Sequence, residues 1–298
     1  MGDTVSLLAE LRNVDKLPTL PEVLLEVLKL VNAENSDASI LASIIEEDPA
    51  LAARVLRVAN SSFYGSAGRR LSSVALAVAR LGFDEIRNIT VAVSIVKHLS
   101  GRRSVLGYKT FWRHSLTAAF LSREIAKKGN LASDEAAMQR FFLAGLLHDI
   151  GILVLDQFFA PEFERISEHS RSHETSYLVS EAEILGKETH PMIGGALLEM
   201  WRLELPVIDA VRYHHAPARG PEKHQDICAA AALAEYILCN SSLGSFEGSF
   251  AGPDKTMWAN ARVSPDGAQG LFEFAQDQVK KSDLILTLGG EPRGLRSI

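Results

Sequence analysis

The sequence lacks the features that mark secreted or membrane proteins. Its two cysteines, Cys228 and Cys239, stand about three turns apart in one predicted helix, roughly 16 Å, whereas a disulfide tolerates only about 7 Å. No uninterrupted apolar run approaches the roughly 20 residues that span a membrane. The N-terminal segment has neither the basic start nor the cleavage site of a signal peptide. We therefore expect reduced cysteines and a cytoplasmic protein with no membrane segment.

The sequence also lacks an excess of positive charge. The 298 residues carry a formal net charge of -6, whereas direct nucleic-acid binding usually leaves a basic patch or domain. Short basic pairs such as Arg69-Arg70 and Lys280-Lys281 are typical of a solvated surface. We therefore expect no direct binding to nucleic acid.

Alternating patterns typical of β-strands are rare, while helical patterns are frequent from Pro18 to about Asn240. Asp48 and Pro49 predict a helix start, because Asp is a favoured N-cap and Pro fits the first turn. Gly82 ends another helical pattern, and Asp84 is a candidate N-cap for the next. The sequence predicts an all-α protein.

The helical patterns predict three parts. Residues 1–105 form an N-terminal helical bundle, residues 106–240 a second helical domain, and residues 241–298 a C-terminal extension. The first boundary is placed at the basic, glycine-containing stretch SGRRSVLGYKT. The extension begins with a Gly, Ser and Pro-rich stretch and holds a last short helix over roughly residues 272–281. We expect residues 1–105 to carry no catalytic group and to serve as a docking or regulatory surface.

A His-Asp pair, His148-Asp149, ends the apolar stretch FFLAGLLHDIG. Successive residues of a helix point about 100° apart, so both side chains reach one ion only if it lies off the helix between them. Gly145 and Gly151 flank the pair and would let another backbone or a ligand come close. The pair is a candidate metal site.

Further histidines stand nearby in the predicted fold. His114 lies on the preceding predicted helix, His190 comes directly before a proline at a helix start, and His214-His215 precede Ala-Pro. A lone buried histidine is more often a hydrogen-bonded core residue than a ligand. Several neutral imidazoles together are hard to satisfy without an ion, and imidazole with carboxylate suits Zn, Fe, Mn or Ni.

Six segments carry, in this order, a resemblance to a known family: LPTLPEVLLEVLKL, IIEEDPALAARVLRVANSSFYG, LSSVALAVARLGFDEIRNI, FWRHSLTAAF, AGLLHDIGILVL and HPMIGGALLEMWRLELPVIDAVRYHHAP. Together they resemble the HDOD family, the HD-related output domains of bacterial signalling proteins, over roughly residues 17–240. The resemblance implies an all-α protein in which an N-terminal helical subdomain packs on an HD-type helical domain. It also implies a role in signalling, chemotaxis or stress-related regulation.

The resemblance extends to the ligands of the wider HD superfamily, a His, a His-Asp pair and a later carboxylate, and to the additional histidines of the related HD-GYP phosphodiesterases. Many HDOD proteins have lost such ligands, but this chain keeps them. The implied site is a mono- or dinuclear centre for a divalent transition metal, with His148 and Asp149 as its catalytic residues if it is active. The implied ligands are His114, His148, Asp149, His190, His214, His215 and Glu235.

Three departures separate the chain from active relatives. The HD-GYP enzymes, which hydrolyse cyclic di-GMP, carry Gly-Tyr-Pro after the paired histidines, where this chain has HHAPARGPEK. Active relatives often have Lys just after His-Asp-Ile-Gly, where this chain has Ile152. Glu235 stands in place of Asp, which keeps the charge but lengthens the arm by one methylene.

Two functions are open on this basis. The site could belong to a metal-dependent phosphohydrolase acting on a nucleotide or related phosphoester, or to a binding or sensory module whose ligand is a nucleotide or phosphate. We favour the module, with weak or no catalysis, because the departures remove substrate-handling groups while leaving the ligands. No receiver, nucleotide-cyclase or DNA-binding motif accompanies the region, so we expect an unknown signalling protein acting in trans as its partner.

Overall fold

The computed structural model describes residues 6–13, 17, 19–30, 38–65, 70–99, 106–241 and 252–289. Within these residues the regular structure is helical and contains no strand, which confirms the all-α prediction. The first six helices are α1 Leu7–Asn13, α2 Glu22–Leu30, α3 Ala38–Glu46, α4 Pro49–Ala59, α5 Val74–Leu81 and α6 Phe83–His98. The others are α7 Tyr108–Lys128, α8 Glu135–Leu147, α9 Ile150–Phe158, α10 Ala160–His173, α11 Tyr177–Leu185, α12 His190–Met200, α13 Leu205–Tyr213, α14 Gln225–Cys239, α15 Lys255–Ala261 and α16 Ala268–Gly289.

The chain divides into two compact units. The larger unit comprises Met1–Leu17 and Arg102–Val279, and the smaller unit comprises Pro18–Gly101 and Lys280–Ile298. These units differ from the three predicted parts at both ends of the chain, because α1 belongs to the larger unit and the predicted extension is shared between the two. Residues 100–105 of the predicted junction, and residues 242–251 of the Gly, Ser and Pro-rich stretch, lie outside the described residues.

Local sequence signals explain the helix ends of the smaller unit. The Asp48 carboxylate accepts hydrogen bonds from the backbone N–H groups of Ala50 and Leu51, at 2.9 and 3.1 Å, so its predicted N-cap role is confirmed. Gly82 ends α5 and is also the N-cap of α6, so the prediction that Asp84 caps α6 is wrong. Asp84 lies in the first turn instead, where its carboxylate contacts Arg87 at 3.1 Å.

The end of α16 contributes to the smaller unit. The helix is longer than the predicted 272–281 segment, because apolar residues after Lys281, including Ile285 and Leu286, are buried. Lys281 forms an ion pair with Glu85 on α6 at 2.6 Å. These contacts explain why residues 280–289 group with α2–α6.

The larger unit is built around α7, α8 and α14. Alanine-rich α14 presents small buried side chains, which allow its neighbours to pack closely. The α15 helix packs on α14, and α1 joins the same unit because the Glu188 carboxylate accepts a hydrogen bond from the Leu7 N–H at 2.8 Å. Helices α1 and α15 are therefore both tied to the core of the larger unit.

The stretch Glu135–Phe158, which covers α8 and α9, is long and apolar enough to cross a membrane by length and composition. Its most apolar window is, however, 89% buried inside the protein. It packs against α7, α12, α13 and α14, as a core helix pair does. The apolar character of this stretch is therefore explained by internal packing.

Two glycines allow the helices of the larger unit to approach closely. A Cβ at Gly145 would lie 2.4 Å from the Ala118 carbonyl oxygen, and one at Gly151 would lie 2.0 Å from the His190 carbonyl oxygen. Gly145 therefore permits the close contact of α8 with α7, and Gly151 that of α9 with α12. These two close helix contacts bring together the segments that carry the candidate histidine ligands.

Candidate metal centre

The structure brings all seven predicted ligand residues into one buried region of the larger unit. They come from five places, namely the middle of α7, the junction between α8 and α9, the start of α12, the end of α13 and the middle of α14. They form two donor sets that share Asp149, and in each set the donor atoms lie within 4.8 Å of one another. The first set is His114, His148, Asp149 and Glu235, and the second set is Asp149, His190, His214 and His215.

The first set is held together by a carboxylate that faces two imidazoles. Glu235 Oε2 lies 2.7 Å from His114 Nε2 and 3.1 Å from His148 Nε2. Asp149 Oδ2 lies 3.5 and 3.0 Å from the same two nitrogens. The His148 Nδ1–H donates to the Gly145 carbonyl oxygen at 2.8 Å, which turns Nε2 toward the set.

The second set holds imidazole nitrogens that face one another. The His214 Nδ1–H donates to the Val211 carbonyl oxygen at 2.6 Å, and the His190 Nδ1–H donates to a Glu181 carboxylate oxygen at 2.6 Å. The Nε2 atoms of His190 and His214 are left 3.3 Å apart, and His215 Nε2 lies 3.2 Å from His190 Nε2. In neutral imidazoles whose Nδ1–H groups donate, the Nε2 atoms of His190 and His214 carry lone pairs, which repel unless a cation lies between them.

Asp149 joins the two sets because its two oxygens face opposite ways. Oδ2 faces His114 and His148, whereas Oδ1 lies 3.5 Å from His214 Nε2 and 3.7 Å from His190 Nε2. Oδ1 is buried and has no hydrogen-bond partner among the described residues. A buried carboxylate oxygen without a partner is costly, which points to a cation as its missing neighbour.

The two sets differ in their protonation. Burial opposes charge in the first set, but the Asp149 carboxylate beside His148 outweighs it and raises the pKa of His148 well above its usual value. Burial likewise opposes the charge of Glu235, yet the His114 imidazolium lowers the pKa of Glu235 well below its usual range. In the absence of a metal, protons therefore satisfy the first set.

Two histidines of the second set, His214 and His215, stay neutral. Burial lowers the pKa of His214 to about 4, and the neighbouring His215 imidazole further disfavours its protonation. Burial, together with His190, lowers the pKa of His215 to about 4. Neutral imidazoles are the form that coordinates a metal, so this set needs no proton release from these two residues before binding.

These residues fit a divalent transition metal. At metal–nitrogen distances of 2.0–2.1 Å, ligand atoms around a tetrahedral ion lie about 3.3 Å apart, close to the observed Nε2 separations. Imidazole and carboxylate donors suit Zn, Fe, Mn or Ni, and nothing in the donor set selects one of them. His114 Nε2 lies 3.5 Å from Asp149 Oδ2, close enough for both residues to bind one ion, while metal ligation by these residues stays a prediction.

Sequence reasoning missed two residues that contact the ligands. Glu181 on α11 is fully buried and binds His190, and the Cys239 thiol donates to Glu235 Oε1 at 2.7 Å. Cys239, expected from the sequence only to be reduced, therefore also contacts a candidate ligand. Neither residue belongs to a recognisable motif, although the four-residue spacing of Glu235 and Cys239 places them on one helix face.

Replacing Gly151 with alanine is expected to destabilise the protein by about 1–3 kcal/mol, because the new methyl group would overlap the His190 carbonyl oxygen and push α12 away from α9. Urea unfolding measures this effect. Gly270→Ala is the matched control, since no atom lies within 4 Å of its Cβ position, and it is expected to raise helix stability by up to about 1 kcal/mol. Equal stability of the two variants would contradict the close-packing argument.

Solved structures of similar fold support this architecture. An HDOD domain protein of unknown function from Geobacter sulfurreducens is 26% identical, with a TM-score of 0.75 and coverage of 94% of this chain and 97% of that one. A protein from Marinobacter aquaeolei VT8, provisionally described as a signal transduction protein, is 27% identical, with a TM-score of 0.75 and coverage of 96% and 61%.

More distant similarity reaches proteins described as hydrolases. A protein of Shewanella amazonensis SB2B, provisionally described as a metal-dependent phosphohydrolase, shares the fold at 22% identity, with a TM-score of 0.55 and coverage of 93% and 96%. A relative known from its sequence is longer than this chain. An uncharacterized protein of Treponema pallidum is 25% identical over 225 residues, which are 76% of this chain and 42% of that protein. The chain thus spans less than half the length of that curated relative.

The family profile of the HDOD domain matches residues 17–217, which is more than half of the chain. This range contains all the predicted ligands except Glu235, and its beginning coincides with that of the six resembling segments. The predicted resemblance is confirmed, and the chain belongs to the HDOD domain family.

Proposed function

We propose that this HDOD protein is a signalling module with a dinuclear metal centre that acts by binding, with weak or no catalysis. The observation that carries the proposal is the shared Asp149, whose two oxygens face two separate donor sets. The provisional description of the Marinobacter protein as a signal transduction protein agrees with a regulatory role. The partner would be a signalling protein in trans, and the ligand a nucleotide or phosphate.

The surroundings of the donor sets favour binding over rapid turnover. Ile152, which stands where active relatives often have Lys, is fully buried. Arg219 and Lys223, the cations that follow the paired histidines, are exposed. Efficient phosphoryl chemistry needs positioned donors that hold the charges of the substrate in line, and these side chains do not meet that requirement.

A metal-dependent phosphohydrolase is the second candidate, favoured by the bridging position of Asp149. Two ions held by a shared carboxylate would polarise a phosphoryl oxygen and lower the pKa of water. The residues of the chain would then hold the ions through Nε2 and carboxylate oxygens, with His215, the half-buried ligand, nearest to solvent. Weak, broad phosphodiesterase activity would fit this candidate.

Metal analysis and phosphodiester assays distinguish the binding module from the phosphohydrolase. We expect freshly purified protein to contain first-row transition metal by elemental analysis, to leave cyclic di-GMP intact, and to hydrolyse a chromogenic phosphodiester slowly or not at all. The control is His148→Ala, which removes a ligand common to both candidates. Metal-free protein that also fails to take up added Zn²⁺ or Mn²⁺ would refute the metal centre. Rapid hydrolysis of cyclic di-GMP that His148→Ala abolishes would refute the binding module.

A further inference from the structure

We infer that Glu181 is a positioning residue that controls how tightly the second donor set holds its ion. The inference rests on the proposed metal centre and names a residue outside both donor sets. Glu181 lies on α11 and is fully buried. A buried carboxylate is stable only when it is paired, so its contacts indicate its role.

One oxygen of Glu181 holds His190 at two points. Glu181 Oε2 accepts the His190 Nδ1–H at 2.6 Å and the His190 backbone N–H at 3.1 Å. The side-chain bond orients the ring so that Nε2 points toward His214 and His215. A carboxylate behind a ligating imidazole also increases the basicity of the ligand.

Glu181 also balances the charge of the two sets. The first set has a carboxylate of its own, Glu235, whereas the second set has only the shared Asp149. Glu181 gives the second set a matching negative charge, separated from the ion by one imidazole ring. Because the region is buried, such a charge is weakly screened and acts strongly on a nearby dication. Its loss is therefore expected to weaken the second ion selectively.

A purely structural role makes a different prediction. Glu181 accepts a backbone N–H at the first residue of α12, so it could serve only to secure that helix start. Glutamine keeps the shape and an accepting oxygen but removes the charge. Glu181→Gln therefore separates the charge effect from helix capping.

The test compares Zn²⁺ binding by the full chain, by Glu181→Gln and by Glu183→Gln, using calorimetry and elemental analysis after metal loading. Glu183 is the matched control, because it lies on the same helix, is 58% exposed and contacts His169. We expect two ions in the wild type and in Glu183→Gln. In Glu181→Gln we expect an unchanged first ion and a second ion bound about 10–100-fold more weakly.

Identical isotherms for all three proteins, or equal weakening of both ions in Glu181→Gln, would overturn the inference while leaving the metal centre intact. A wild type that binds no Zn²⁺ would instead refute the proposed function, and this inference with it. Melting temperatures of the metal-free proteins check folding. If Glu181→Gln does not fold, Glu181→Asp tests the same contact, since it withdraws the accepting oxygen by one methylene. An unchanged second ion in that variant would also overturn the inference.

Discussion

Replacing Asp149 with asparagine is expected to remove both metal ions, the largest effect of any single substitution in the centre. Each Asp149 oxygen faces a different donor set, so one change deprives both sets of a charged ligand. An amide has the same size but carries no negative charge, and its nitrogen would face imidazole nitrogens. We expect the metal content measured by elemental analysis to fall by about tenfold or more.

Asp156→Asn is the matched control for this experiment. Asp156 is also a buried aspartate on the α9 segment, but its carboxylate accepts the Leu106 backbone N–H at 3.1 Å and takes no part in either donor set. We expect this variant to keep its metal. If Asp149→Asn kept both ions, or lost no more metal than Asp156→Asn, the bridging role of Asp149 would be excluded.

Removing the metal with a chelator is expected to lower the melting temperature by about 10–20 °C. Binding stabilises the folded state by about 2.7 kcal/mol for each ion present at a hundredfold excess over its dissociation constant, or about 5 kcal/mol for two ions. A chain of this size changes its melting temperature by roughly 2–4 °C per kcal/mol. The loss would be larger if the opposed imidazoles of the second set repel one another without a cation.

Calorimetric scans with and without chelator measure this difference, and added Zn²⁺ should restore the higher transition. Asp149→Asn serves as the control, because a protein that holds no metal should not respond to the chelator. A metal-containing wild type with the same melting temperature in both scans would show that the ions do not contribute to folding stability.

Much of the fold could be predicted from local signals. The Asp48 N-cap and the glycine end of α5 are local, so short stretches of sequence sufficed to predict them. The cap of α6 was predicted wrongly, because Asp84 has an alternative partner one turn away in Arg87. Helix α16 was predicted too short, although Gly289 and the following Gly290 and Pro292 form a glycine end signal like that of α5. The buried residues after Lys281 pack against distant helices, which the local pattern does not reveal.

The grouping of the candidate ligands could be predicted, but their surroundings could not. His148-Asp149 and the paired histidines form a pattern along the chain, so residue types and the family resemblance were enough to propose them as ligands. One Asp149 oxygen faces the first donor set and the other faces the second set. This depends on the direction of the side chain, which the spacing of residues along the sequence does not reveal. Glu181 resembled an ordinary helix-surface glutamate, because only tertiary packing buries it beside His190.

The reach of the first donor set along the chain has a kinetic consequence. His148 and Glu235 meet across 87 residues, so no short segment can assemble the set while the chain is still extended. Closing so long a loop costs entropy before any ligand contact forms, and such contacts are typically absent from the early folding transition state. An ion captured only after α14 has docked leaves the folding rate nearly unchanged and slows unfolding. During synthesis the ribosome must release residues well beyond α14 before the donor set can assemble. Metal would therefore bind late and stabilise the folded domain rather than nucleate its folding.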